Sequence, residues 1–506
     1  MSAYCHYTTS VVLSCYIAGL FLQPVCIIKT LIYSSHNMKV FALIILSACS
    51  FAVQAQFISE VLEYKPGPGQ FINKSPFGTP VSAQSIIGKV TGSLTLGAFG
   101  GYIVFRFAQP VENHPDNPYG IDFTIFGNAS DLLAEQGIVY VMKDENKNNL
   151  ADDTWYELAG SEYFFNSSKK DYAVTYYNPG GNIATNIPWI DSNGDEGFVF
   201  ANSFHKQNYY PLTDSFPAIG SDSYTLTGSM IKSPVNKTSP TMVKSLPKPF
   251  GYADNKSRGS APYTLPDNPY TSTKENSGGD GFDIDWAVDG DGEYINLDKI
   301  HFVKVQTAAL ADAGWLGEFS TEITGAVDVE PNSSISGIQD ILHVNILPDT
   351  IYESDFQLEA FVFRKGRPLF NSPIQWTTSQ PNVDINDQAV LDFSYEGQVT
   401  LTATSKEYPS LSQNVSVYLK PDVLAVLTSQ FAEISIHPNP AKDYIRINTT
   451  HNNLLVNIQD LSGKQVLSIQ NYESETGINL ENLSAGIYLI SISGQHVSKT
   501  TRIIKQ

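Results

Sequence analysis

The chain reads as an all-β protein: a large jelly-roll-like β-sandwich, an Ig-like sandwich and a small C-terminal β-sandwich. Three observations predict this. Tyr and Phe number 27 each, and with plentiful Thr, Val and Ile they favour half-buried strands over helices. Gly and Pro, at 36 and 28, cut the chain into short runs joined by turns. Strand-like runs then recur from SLTLGAFGGYIVFRF through GIVYVMKD and KDYAVTYYN to KIHFVKVQTA. With 506 residues, 42% of them hydrophobic and 16% charged, the chain can bury cores in about three domains.

The start is an export signal. Met38 to Gln56, MKVFALIILSACSFAVQAQ, has Lys39, an apolar run and small residues before a cleavage point after Ala55. Residues 38–55 are therefore expected to be a signal peptide, and 1–37 a mis-assigned upstream start. Leu46-Ser47-Ala48-Cys49 is an alternative lipidation site. No segment beyond it is apolar enough to span a bilayer, so the mature chain is expected to lack an integral membrane segment.

Charge and cysteine usage exclude several functions. The net charge is −20, and the first 55 residues hold two lysines and no acid, leaving −22 for the rest. Phosphate backbones demand a basic face, so nucleic acid is excluded as a partner. An acidic exported chain suits divalent cations. All four cysteines lie within the first 49 residues, which rules out disulfides, thiolate metal sites and cysteine nucleophiles downstream. Serine-hydrolase, zincin, P-loop and dinucleotide motifs are also missing.

Residues 56–330 form the expected ligand-binding sandwich, with long loops, notably Thr225–Gly281, crowding one edge. Acidic combs occupy three turns. In DENKNNLADD, Asp144, Asn146, Asn148 and Asp152 stand at positions 1, 3, 5 and 9 of a calcium-type loop, with the Leu150 carbonyl at position 7. Position 6 is Asn149 rather than Gly, and the acid usual at position 12 is replaced by Trp155. Asp191, Asn193 and Asp195 repeat the odd-position pattern, as do Asp289, Asp291 and Glu293. Calcium is the expected cofactor, set against plain solvated turns. Carboxylates could also pair as the acid and base of a glycan-active hydrolase. They cluster locally in turns, however, so non-enzymatic binding is preferred. Trp189, Tyr209 and Tyr210 are the aromatic candidates for holding a glycan or small nutrient ligand. A pure adhesin or matrix role is the further alternative.

The motifs GIDFTIFGNAS, GIVYVMKDENKNN, DDTWYELAGSE, DIDWAVDGDGEYINLDKIHFVKVQTA and GWLGEFSTEITGAVDVE resemble bacterial surface proteins frequent in gut Bacteroidetes. Some of these accompany outer-membrane nutrient uptake, which implies a surface role. Residues 335–421 alternate apolar and polar side chains around Trp376 and resemble a bacterial Ig-like domain, which implies a spacer. A linker is expected at 422–433.

From residue 434 three motifs follow in order. They are Pro438-Asn439-Pro440-Ala441, then Asp460-Leu461-Ser462-Gly463-Lys464, then Leu483-Ser484-Ala485-Gly486-Ile487-Tyr488 with a basic end at Lys505. They resemble the C-terminal sorting domain of the type IX (Por) secretion system. Alternating runs broken by turns at Pro438-Asn439-Pro440, Ser462-Gly463 and Ala485-Gly486 predict seven or so short strands in a small sandwich. The resemblance implies the type IX machinery as partner and delivery to the outer-membrane surface or the exterior.

Overall fold

The computed structural model describes residues 56–114, 117–239, 242–259, 268–274, 279–329, 340–421, 434–449, 452–460, 464–474, 476–494 and 498–506. The signal peptide, the upstream residues, Cys49, the linker at 422–433 and Gly463 lie outside them. Among the described residues no helix is long and apolar enough to cross a membrane.

The widest sheet has nine antiparallel strands. Their order is Asp280–Phe282, Phe123–Phe126, Gly325–Asp328, Gln56–Lys65, Tyr102–Phe107, Phe302–Thr307, Gly137–Met142, Trp155–Leu158 and Ala287–Val288. Gln56–Lys65 joins its two halves, pairing with Gly325–Asp328 at its start and with Tyr102–Phe107 along the remainder. Register shifts at Ile58/Glu60 and Val61/Glu63 interrupt it, and such bulges bend the strand that carries them. The halves then share one core. Ile103, Phe105, Val141 and Val305 pack in the same cluster as Ile125, Phe282 and Val327, and the Phe107 and Phe123 rings lie 6.5 Å apart.

A second, four-stranded sheet (Glu196–Val199, Ile187–Asp191, Lys169–Tyr177, Ser223–Met230) packs beside it. Lys169–Tyr177 buries Tyr172, Val174 and Tyr176 at the two-residue period of a strand, against Phe99 and Leu226. Tyr209 and Tyr210, read from the sequence as ligand-facing, are instead core residues of this cluster. Their hydroxyls accept from the Asn202 N–H at 3.2 Å and donate to the Gly220 carbonyl at 2.5 Å. That pairing lets a phenol sit inside.

The Ig-like strands span Ile341–Val344 to Ser412–Leu419, and Trp376 packs on their core of Leu391, Val399, Leu401 and Val417. One of their sheets, Ile341–Val344 with Ala360–Arg364 and Arg367–Pro368, lies on the large sandwich rather than apart from it. Phe363 belongs to the large core, its ring 5.2 Å from that of Phe250. Trp286 Nε1 donates to the Lys365 carbonyl at 2.9 Å.

A buried ionic group underpins this junction. Glu162 Oε2 meets Lys248 Nζ at 2.8 Å, and its Oε1 meets His343 Nε2 at 2.6 Å. Burial pushes the Glu162 carboxyl up, but Lys248 and His343 outweigh it and hold the group well below the usual range. Glu162→Ala strands a buried lysine, so it should lower unfolding stability by about 3–5 kcal/mol in urea titrations of residues 56–506. Because the folded pKa is depressed, this contribution is present above about pH 4.3 and is lost on further acidification.

Candidate functional site

At one end of the large sandwich Tyr102 lies opposite Lys65, Gly137 opposite Thr307 and Gly325 opposite Phe126. The loops leaving that end enclose a cavity of about 520 Å³. Phe204 and Trp315 stand at its mouth, 75% and 57% exposed. Phe71, Phe77, Leu94, Val243 and Phe319 line its walls. The Phe71 ring packs against Phe77 at 5.1 Å and His205 at 4.6 Å.

The floor is acidic. Carboxylate oxygens of Glu135, Asp254 and Glu322 all lie within 4.8 Å of one another. Asp254 is fully buried. Its Oδ1 accepts from the amides of Asn128 and Ala129 at 2.7 and 2.9 Å, and its Oδ2 from that of Glu322 at 2.9 Å. A side chain at position 127 would collide with this carboxylate, so Gly127 is required there. Glu135 Oε1 takes the Ser320 amide at 2.9 Å, and Glu322 Oε1 takes the Thr95 hydroxyl at 2.9 Å. Glu318, 95% buried, accepts from the Gln70 amide through Oε1 at 2.9 Å. Its Oε2 is buried without a partner.

Among the described residues lining the cavity there is no lysine or arginine. Burial drives these acids up: Glu135 and Glu318 to about 8 and Asp254 to about 7. Glu322 also rises well above its ordinary value, through burial and then the charges of Glu135 and Asp254. Backbone amides pull Asp254 and Glu318 part of the way back.

The sequence candidates sit elsewhere. Trp189 is half-buried beside Gly197 and lines a smaller cavity of about 200 Å³, which Glu318 also borders. Asp144, Asn146, Asn148 and Asp152 do converge. Asp144 accepts from the amides of Asn148 and Asn149 at 3.1 and 2.9 Å, and the Asn146 and Asn148 side-chain amides donate to Asp152 Oδ1 at 3.2 and 3.1 Å. Asn149 takes the left-handed conformation, φ 61°, which Asn tolerates. The oxygen-rich donor set fits a hard cation.

The other two combs share one hairpin turn. Asp191 N–H donates to the Asp195 carbonyl, and its Oδ1 accepts the amides of Asn193 and Asp195. Asp289 makes the same three bonds with Asp291 and Glu293. So does Asn386 with Gln388 and Val390, where no comb exists. In Asp460–Lys464 the closing pair recurs. The leading side chain caps turn amides, and that suffices to explain Asp191 and Asp289.

The sorting motifs act as stitches. Asn439 Nδ2 donates to the Arg502 carbonyl at 3.0 Å and its Oδ1 accepts the Ile504 amide at 2.9 Å, while Ala441, following Pro440, bonds Ile504. Gly486 pairs with Lys505, and the Tyr488 hydroxyl donates to the Ser484 carbonyl at 2.8 Å. Asp460 Oδ1 accepts the Lys464 amide at 3.0 Å. The first motif, beginning at Pro438, thus clamps the last strand of a seven-stranded sandwich.

Sequence reading passed over Glu135, Asp254, Glu318 and Glu322, which occur singly rather than in combs. The available signal was Glu318 and Glu322 standing among aromatic and small residues in GWLGEFSTEITG.

These features define an exported, all-β protein with a terminal sorting sandwich. Residues 435–506 match the model for a secretion system C-terminal sorting domain. The chain therefore engages the type IX machinery and is exported to the cell surface or outside. No curated protein sequence matches the chain. Among solved structures it is similar to PorZ, an essential surface component of the type IX system of Porphyromonas gingivalis, at 13% identity and TM-score 0.14, covering 29% of this chain and 20% of that one. The chain thus spans one fifth of PorZ. Latent PorU of the same organism matches at 10% identity and TM-score 0.11, covering 67% and 30%. Drosophila OTK extracellular domains 3–5 match at 13% and 0.14, covering 42% and 83%. Likenesses this weak carry no functional argument.

Two expectations follow. Ala389 fills the left-handed position, φ 60°, that Gly194 and Gly292 hold in the sister turns, so Ala389→Gly should raise stability by about 1 kcal/mol in chemical denaturation. Glu135, Asp254, Glu318 and Glu322 bind protons more tightly folded than unfolded. Asp280 is likewise raised to about 7 by burial, partly offset by Lys256. Their contribution to stability is full below about pH 4 and falls as pH rises through 7 to 8. Thermal midpoints should decline across that window, less steeply in Glu318→Gln.

Proposed function

We propose that this is a non-enzymatic binding protein of the cell surface or exterior that captures a small ligand in the pocket behind Phe204 and Trp315. One observation carries the reading: a ligand-sized cavity has exposed aromatic rings at its mouth and carboxylates at its floor. Pockets of this volume with few convergent polar groups suit small molecules. Exposed aromatic side chains at its mouth supply apolar contact at little entropic cost. A hydrolase would set two carboxylates across the scissile bond, about 5–10 Å apart. Glu135 and Glu322 instead lie side by side and hydrogen-bond to each other, which favours binding over hydrolysis.

The test is a panel of small neutral, cationic and anionic compounds titrated against residues 56–506 while tryptophan fluorescence is followed. At least one class should give a saturable change that Trp315→Phe removes and Phe204→Ala weakens by about tenfold. A flat response to every compound would sink the pocket reading.

The second part of the proposal is that calcium holds the Asp144–Asp152 loop in shape, with Asp144, Asn146, Asn148 and Asp152 as oxygen donors. A cation bound only by the folded form adds about 2.7 kcal/mol at a hundredfold excess over Kd. The thermal midpoint of residues 56–506 should therefore rise by several degrees in millimolar calcium over EGTA, and Asp152→Ala should abolish the rise. An unchanged midpoint returns the loop to a solvated turn.

A further inference from the structure

We propose that the pocket takes a cation: a small organic ammonium with an apolar body, its N–H groups on Glu318 and on the Glu135/Glu322 pair. This rests on the pocket reading and adds the charge and hydrogen-bonding character of the ligand.

The argument is a count of charges and donors. Three glutamates line the cavity with Asp254 directly behind them, and the lining has no lysine or arginine among the described residues. The basic side chains nearby are engaged otherwise. His205, at the wall, contacts Lys74 Nζ at 3.2 Å. Arg258 stacks over Phe126 at 4.5 Å and donates to the Val90 carbonyl at 3.1 Å. The chain's own N–H and O–H donors reach one oxygen of each glutamate: the Ser320 amide on Glu135, the Thr95 and Ser320 hydroxyls on Glu322, and the Gln70 amide on Glu318. Beyond these, among the described residues, Glu135 and Glu322 have only the bond they share with each other. Glu318 Oε2 is itself buried and has no hydrogen-bond partner, in a residue 95% buried that borders the cavity. A buried carboxylate oxygen without a donor is costly, and the deficit is cured by a ligand that brings both N–H groups and positive charge.

Volume and lining set the remainder of the ligand. A bare metal ion would use only the floor of a cavity of about 520 Å³, leaving Phe71, Phe77, Leu94, Val243 and Phe319 without contact. Aromatic faces attract ammonium groups and cover the carbon skeleton attached to them. A carboxylate ligand would meet like charge at the floor. A neutral hydroxyl could donate to Glu318 but would leave the charge of the cluster uncompensated.

The probes are phenethylammonium, its neutral isostere 2-phenylethanol, the anion 3-phenylpropionate, and calcium chloride alone. Each is titrated calorimetrically into residues 56–506 at about pH 6 and about pH 8. Phenethylammonium should bind at least about tenfold more tightly than the alcohol, with the anion silent. Its affinity should be higher at the upper pH with release of protons, since carboxyl groups that hold protons must give them up to face a cation. Glu318→Gln, which keeps the size and shape of the side chain, should erase most of the preference for the ammonium. If the alcohol or the anion equals the ammonium, the cation inference is wrong while the pocket reading stands. If calcium alone binds in a manner that Glu135→Gln abolishes and the ammonium does not bind, the floor is a metal site and the inference is overturned. If none of the four binds and the fluorescence panel is also flat, both readings fall together.

Discussion

The pocket end of the large sandwich depends on how one buried carboxylate is satisfied. Asp254 is held by amides from Asn128, Ala129 and Glu322, so three stretches distant in sequence meet on two oxygen atoms. Its own carbonyl accepts the Glu135 amide at 3.0 Å. Its neighbour Asn255 exchanges bonds with Lys248 and Gln136. A loop can run through an interior only when the polar groups it carries find partners, and the Asp254 carboxylate and carbonyl and the Asn255 side chain find theirs here. With the segment so anchored, Glu135 and Glu322 are brought against Asp254 and become the cavity floor.

The same residue type does different work according to its partners. Glu162 is buried with Lys248 and His343, and these partners hold its carboxyl well below the usual range. Asp191 and Asp289 cap turn amides at the surface end of hairpins. Glu318 has neither a cation nor a full set of donors, and burial drives its pKa up to about 8. An unmet electrostatic demand beside an open cavity is what makes Glu318 the candidate binding group in the proposal above.

The Glu162 group also explains why the Ig-like region is more than a spacer. His343 lies on its first strand, and Phe363 and the Lys365 carbonyl reach the large core and Trp286. Apolar contact and a buried ion pair thus act on the same face, so the strands that follow the large sandwich are part of its packing.

By itself the sequence determined the all-β class, the seven strands of the tail and the export route. These follow from local signals: strand-forming runs between Gly and Pro turns, and short motifs whose residues bond within one small sandwich, as Asn439 does with the last strand. The convergence of Asp144, Asn146, Asn148 and Asp152 was legible for the same reason, being local to one turn. The tertiary structure alone decided that Tyr209 and Tyr210 face inward and that Asp191 and Asp289 cap the amides of their own turns. It alone assembled Glu135, Asp254, Glu318 and Glu322, which lie up to 187 positions apart in the chain. A pocket floor made across such separations depends on strand register and on which loop is buried, and neither is written in the spacing of the residues that form it.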